Sequence, residues 1–230
     1  VVIVAVLLSL AAIGLKPRQD ANILNEKKTQ IVKALGYDAT VSYDDVVAEA
    51  ALLNAEGAVV NNDVAKVFAA LQSVKDSRAA GQFPIFKAKN GSVVVPLYGA
   101  GLWGPIWGYV GFEKDLNTIK AVRFGHKGET PGLGAKIADE PSFAEAFVGQ
   151  QVGSGDVLFE ILKPANRQTE LNGVDAISGA TITSQALGNT LNQWFGFYQN
   201  YFVNNAECSF DCEACTEECA EVEPVNTVEE

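Results

Sequence analysis

The apolar positions of this 230-residue chain change texture as it runs from end to end. Val1 to Leu15 is an apolar run broken only by Ser9 and Gly14. As a helix it would reach about 22 Å, short of the ~30 Å hydrocarbon core of a bilayer, which takes ~20 residues to span. A helix apolar on every face suits lipid better than a chain end packed on a core. The run therefore predicts a transmembrane helix at 1–15 whose first turns are missing. A cleaved signal peptide is the competitor, although a mature chain does not keep that segment. After Arg18, Ile23, Leu24, Ile31, Val32 and Leu35 follow a helical spacing that ends at Gly36. Asp38 to Gly81 reads as helical and loop material, with Val47, Ala51, Leu52, Val67, Phe68 and Leu71 the expected buried positions. Residues 16–81 are thus expected to form a helical connector.

From Gln82 the texture becomes β-like, with short runs at Phe83 to Ala88, Gly91 to Leu97, Trp107 to Glu113 and Ile119 to Gly125. Asn90-Gly91 is a hairpin signal between the first two. A helix is predicted over Pro141 to Val148 and a strand over Val157 to Lys163. Beyond Ser184, the apolar residues Leu187, Leu191, Trp194, Phe195 and Tyr198 draw one face of a helix. The expected fold class is α+β: a mixed or antiparallel sheet with flanking helices over 82–200, anchored by the N-terminal helix and followed by a tail at 201–230.

Composition narrows the chemistry. The formal net charge of −11 is concentrated at one end, because nine of the 28 acidic residues and none of the 17 basic ones follow Asn205. The remaining body is near neutral and has no basic stripe, which argues against nucleic-acid binding. The acidic run reads as a solvated tail. One histidine, His126, removes most His-based catalysis and most His-ligated metal sites, and no catalytic acid or base is assigned. There is no Met, even at position 1, so the sequence is expected to begin inside the natural chain or after processing. Cys208, Cys212, Cys215 and Cys219 form C-x3-C-x2-C-x3-C, one face of a helix if helical. Disulfides, free thiols and a zinc or iron–sulfur site all remain open for them. The spacing is not that of a common ferredoxin or zinc ribbon, and no metal is assigned.

Three segments carry candidate chemistry. In the stretch from Val174 to Ser184, Thr181 follows Ser178, Gly179 and Ala180 on a turn that opens into the last helix. The free N–H groups and positive dipole end of that helix make a seat for a phosphate. Gly179 and Ala180 would let such a group approach the backbone. The plainer alternative makes Thr181 or Thr183 an N-cap. Gly125 to Gly134 packs four glycines around Pro131, either a rigid surface turn or a cradle for a flat ligand edge. Pro96 to Trp107 contains Gly-Ala-Gly-Leu-Trp, either a bend between core strands or a place for Trp103 beside a ligand.

Asp175, Ser178, Gly179, Ala180, Thr181 and Thr183 match in order and spacing the signal D-x-x-S-G-A-T-x-T, and the chain resembles the flavin-carrying subunits of membrane redox complexes. In that family a flavin transferase joins FMN through a phosphoester to the last-but-one threonine, which implies Thr181 here. The family's G-E-T-P-G-L-G segment wraps the isoalloxazine ring and is matched by Glu129, Thr130, Gly132 and Leu133. The G-x-G-L-W form around Trp103 is similar to the FMN-carrying subunit of the Na+-translocating NADH:quinone reductase rather than to its relative in the Rnf ferredoxin-linked complex. Lys163 stands where the family has a lysine close to the phosphate. The resemblance implies an electron carrier that takes electrons from an iron–sulfur centre and passes them to a flavin in a neighbouring membrane subunit. It also implies an inner-membrane, single-pass protein with its flavin domain, 82–200, on the periplasmic side. Lys16-Pro17-Arg18 point the other way, since the positive-inside tendency would keep them in the cytoplasm. The alternatives are the flavin carrier of the Rnf complex, a membrane-anchored flavin sensor with a regulatory role, and a colourless envelope interaction module.

Overall fold

The computed structural model describes residues 2–153, 155–166 and 172–206, so the four cysteines and the acidic tail lie outside the described residues. Helix α1 (Val2–Ala34) is one continuous 33-residue helix, about 50 Å long. The apolar run at 1–15 and the helical pattern after Arg18, the first part of the expected connector, are therefore one element. Pro17 lies inside it; it forfeits one backbone hydrogen bond but does not end the helix. Residues 2–23 are exposed and only the last turns, at Ile31, Val32 and Ala34, are buried. By length and composition the apolar half can cross a membrane. Gly36 stops the helix as expected, at φ +80°. Tyr37 N–H donates to the Val32 carbonyl at 3.2 Å and Gly36 N–H to that of Lys33 at 3.0 Å, the paired bonds that close a helix at a left-handed glycine.

A short helix α2 (Tyr43–Val46) leads into a six-stranded sheet. Its strands are β1 (Val47–Leu53), β2 (Val59–Asn61), β3 (Phe83–Ala88), β4 (Val93–Ala100), β5 (Pro105–Phe112) and β6 (Ile119–His126). Between β2 and β3 come helices α3 (Val64–Gln72) and α4 (Val74–Ala79). The spatial order is β2-β1-β3-β4-β5-β6, with every neighbouring pair antiparallel. Strands β3 to β6 lie where the β-like runs predicted them, and the Asn90-Gly91 turn joins β3 to β4 with Gly91 at φ +88°. Residues 38–81, by contrast, are not only helix and loop. They supply β1 and β2, so the sheet begins before residue 82. Ala, Glu and Leu in β1 favour helix locally, but pairing from Val47↔Ala88 to Leu53↔Phe83 overrides that preference.

Alternation across the sheet divides the core. Val93, Val95 and Leu97 of β4 lie opposite Phe112, Val110 and Gly108 of β5 on one face. Helix α7 (Thr181–Asn205) covers that face. The Phe112 ring lies 5.5 Å from Phe195 and 4.9 Å from Phe202. Two polar tips fasten the helix: Trp194 Nε1 donates to the Tyr98 carbonyl and Tyr198 Oη to the Pro84 carbonyl, each at 2.7 Å. The other face receives the end of α1 at Gly111, where a Cβ would run into the Ala34 carbonyl. Tyr43, Phe68 and Phe86 form an aromatic cluster on that side.

Beyond β6 come α5 (Lys136–Asp139), α6 (Pro141–Glu145) and a small parallel pair, β7 (Glu160–Leu162) with β8 (Gly173–Asp175). Helix α6 is shorter than the predicted 141–148; it gives way to turns after Glu145, and Phe143 and Phe147 both meet Phe124. The strand expected over 157–163 is confined to residues 160–162. Asn192 of α7 holds its entry, accepting from the N–H groups of Leu158 and Phe159 at 2.6 and 3.0 Å.

Candidate functional site

Strand β8 delivers the chain to a β-turn at residues 177–180. Ala180 N–H closes it on the Ile177 carbonyl at 3.0 Å. Gly179, in third position, has φ +77°, a backbone that glycine adopts without strain. Ser184 Oγ accepts from Ile177 N–H at 3.0 Å, and Ser184 N–H makes the first helical bond to Ala180 at 2.9 Å. Turn and helix are thereby locked together.

The N-cap is Ala180, which has no side chain able to cap. Neither threonine takes that role. Thr181 is the first helical residue and is exposed, whereas Thr183 is buried in the first turn and donates to Glu129 Oε2 at 2.7 Å. No acidic residue occupies the first turn. An uncapped 25-residue helix thus presents its open N–H groups and positive dipole end beside an exposed hydroxyl.

The three candidate segments meet there. A cleft of about 440 Å³ is lined by Leu102 and Trp103, by Glu129, Thr130, Leu133 and Gly134, and by Gly179 through Thr183. Trp103 is 68 % exposed and Leu133 43 %, so an indole and an aliphatic side chain are available to a ligand surface. Thr130 is exposed, and its carbonyl accepts from the Leu133 and Ala135 N–H groups, both at 3.1 Å. Gly132 completes that turn at φ +75°. Glu129 is 4 % exposed and points inward, its Oε1 accepting from Trp103 N–H at 2.9 Å.

Other residues of the signal lie elsewhere. Asp175 and Ser178 line a neighbouring hollow of about 450 Å³ with Lys136, Glu140 and Ser142. Lys163 is exposed just beyond β7 and lines neither hollow. Leu102, Gly134 and Ile182 belong to the cleft although sequence did not single them out; each sat inside a motif already marked. An open helix terminus, a free hydroxyl and a slot with an indole wall suit a phosphate joined to a flat aromatic ring. The residues present therefore fit a flavin mononucleotide. Among the described residues, no cluster of His, Cys, Asp and Glu could hold a metal ion.

Residues 101–196 match the family described as FMN-binding domain, a span that contains every residue lining the cleft. The chain is similar to the crystal structure of the C subunit of Na(+)-translocating NADH-quinone reductase from Parabacteroides distasonis. The two are 32% identical with a TM-score of 0.73, over 82% of this chain and 96% of that one. The crystal structure of Shewanella oneidensis NqrC matches at 27% identity and a TM-score of 0.64, over 78% of this chain and 95% of that one. The C subunit of the Vibrio alginolyticus reductase is 28% identical over 218 residues, 84% of this chain and 85% of its own length. With fold, cleft and kinship in agreement, the chain belongs to the family formed by the C subunits of the Na+-translocating NADH-quinone reductases, and FMN is its cofactor.

Proposed function

We propose that this chain is an electron-transfer subunit of a Na+-translocating NADH:quinone reductase and that it holds FMN through a phosphoester to Thr181. The observation that carries this reading is the convergence of three distant segments on one cleft that has the exposed Thr181 at its helix-terminal end. The first-turn N–H groups of α7 bind the phosphate, and the helix dipole stabilises its remaining negative charge. Gly179 keeps the approach open; a Cβ there would meet Leu133 Cδ2 at 3.0 Å. Trp103, Thr130 and Leu133 orient the ring, which attachment at the phosphate alone leaves free to swing. When bound, FMN supplies the redox chemistry, and the protein sets its position and potential. A threonine hydroxyl is a weak nucleophile, and among the described residues no base touches Thr181, which favours attachment by a separate flavin transferase.

Electrons come from an iron–sulfur centre and leave to a flavin in a neighbouring membrane subunit. The apolar run at 1–15 lies within a spanning helix in the bacterial inner membrane, and the rest of α1 links it to the flavin domain. That domain, whose sheet already includes β1 and β2, stands on the periplasmic side, with 201–230 as its tail. Intact mass measured with and without co-expressed flavin transferase tests the attachment. The loaded chain should gain the mass of one FMN less one water and fluoresce on a denaturing gel, and Thr181→Ala should do neither. Flavin that washes out on denaturation would sink the claim. For topology, protease added to intact spheroplasts should reach the flavin domain; digestion confined to inverted vesicles would reverse it.

A further inference from the structure

Among the described residues, Glu129 is the side chain that ties together all three walls of the cleft. Its own backbone belongs to the Gly-rich loop, where Glu129 N–H donates to His126 Nδ1 at 3.2 Å. One carboxylate oxygen accepts from Trp103 N–H at 2.9 Å and the other from the Thr183 hydroxyl at 2.7 Å. Two glycines make room for it. A Cβ on Gly101 would stand 2.5 Å from Oε1, and a Cβ on Gly134 would stand 2.5 Å from Oε2 and 2.7 Å from Thr183 Oγ1. A glycine in each of the two Gly-rich motifs is thus explained by one carboxylate lodged between them. The group is 4 % exposed, and among the described residues no ion pair involves it. Two hydrogen bonds and the nearby positive end of α7 hold its charge in place.

We propose that Glu129 is a positioning residue of the flavin site: its carboxylate fastens the Trp103 segment to the first turn of α7 and lays a fixed negative charge on the cleft floor, lowering the reduction potential of the flavin. The second half rests on the FMN reading above. Reduction adds electrons to the ring, and a negative charge in the lining of the cleft that would hold the ring, screened poorly by the protein around it, opposes that addition. The first half concerns the chain alone and holds whether or not flavin is attached.

Glu129→Gln separates the two roles. The amide oxygen can still accept from Trp103 N–H, while the amide N–H donates to Thr183 Oγ1, whose hydroxyl rotates to accept. The charge disappears and the fastening stays. Glu129→Ala removes both. In the full chain, hydrogen exchange at the Trp103 amide should quicken roughly tenfold in Glu129→Ala and stay near wild type in Glu129→Gln. Thr183→Val removes only one of the two bonds and should give an intermediate rate, which keeps the test open if Glu129→Ala does not fold. With FMN attached, redox titration should place the potential of Glu129→Gln above wild type. Trp103 exchange that is unchanged in Glu129→Ala or, failing that variant, in Thr183→Val would overturn the fastening. A Glu129→Gln potential equal to or below wild type would overturn the electrostatic role. A wild-type chain whose mass shows no flavin would instead defeat the FMN reading and the potential with it, while the exchange rates still decide the fastening.

Discussion

Replacing Asn192 by Ala should loosen the entry to β7 from the helix that packs against it. The Asn192 amide is a clamp between α7 and the entry to β7. Its oxygen accepts from Leu158 N–H at 2.6 Å and Phe159 N–H at 3.0 Å, and its nitrogen donates to the carbonyls of Phe159 and Gly188. Leu158 and Phe159 are 4 % and 1 % exposed, so water cannot readily replace the lost partner. Each buried N–H left unsatisfied costs ~1–3 kcal/mol, and partial relaxation at this half-buried site brings the pair to about 3 kcal/mol. For a protein of this size that corresponds to a fall in melting temperature of about 6–12 °C. Asn192→Asp keeps the acceptor but turns a charge toward two carbonyls, and it should not rescue the loss. Thermal unfolding of the purified full chain in detergent, followed by tryptophan fluorescence, reads the change. A fall of less than about 2 °C in Asn192→Ala would refute the reasoning and leave the amide as an incidental contact.

Three further outcomes follow from the packing. Gly99→Ala drives a Cβ into the Thr190 side chain on α7 and should cost about 1–3 kcal/mol in urea unfolding, most of it recovered when Thr190→Ala is added. Burial raises the hydroxyl pKa of Tyr198, and burial followed by the nearby Glu26 carboxylate raises that of Tyr109, both above the ordinary 10.0. The folded chain therefore keeps protons that the unfolded chain releases, so stability should hold below about pH 10 and fall as pH rises further; denaturant midpoints at about pH 8 and about pH 11 check the sign. Trp103→Ala should leave FMN attachment at Thr181 intact by mass but shift the flavin absorption spectrum and slow electron transfer, whereas wild-type spectra and rates would reduce Trp103 to a structural bend.

Local chemistry was readable in the chain where a few adjacent residues decide the outcome. Gly36 ends α1 because only the backbone at that point must turn left-handed, and Asn90-Gly91 makes its hairpin for the same reason. The 177–180 turn and the opening of α7 at Thr181 likewise follow from Gly179 and from the apolar spacing of the helix behind it. Kinship carried further than pattern at the cleft: Trp103, Thr130, Leu133 and Thr181 are exposed residues with no periodicity to mark them, and only their motifs singled them out.

What depends on distant partners came from the tertiary structure. Val47 to Leu53 has helix-favouring composition and becomes a strand because β3 offers it a pairing edge, a long-range gain that local propensity cannot register. Pro17 stands between the apolar run ending at Leu15 and the helical pattern after Arg18, and the hydrogen bond lost there does not outweigh the helix on either side of it. Glu129 read as a ligand contact from its motif, but the folded chain turns it inward to Trp103 and Thr183, residues 26 and 54 positions away. Asp175 and Ser178 share a signal with Thr181 and still face a separate hollow, because the turn between them reverses the chain. The sequence by itself determined the turns and the stop of α1, and it marked Thr181 as the candidate for flavin attachment, because each of these depends on a few neighbouring residues. Which residues wall the cleft was decided only when sheet and helix came together, since that depends on which surfaces each must bury.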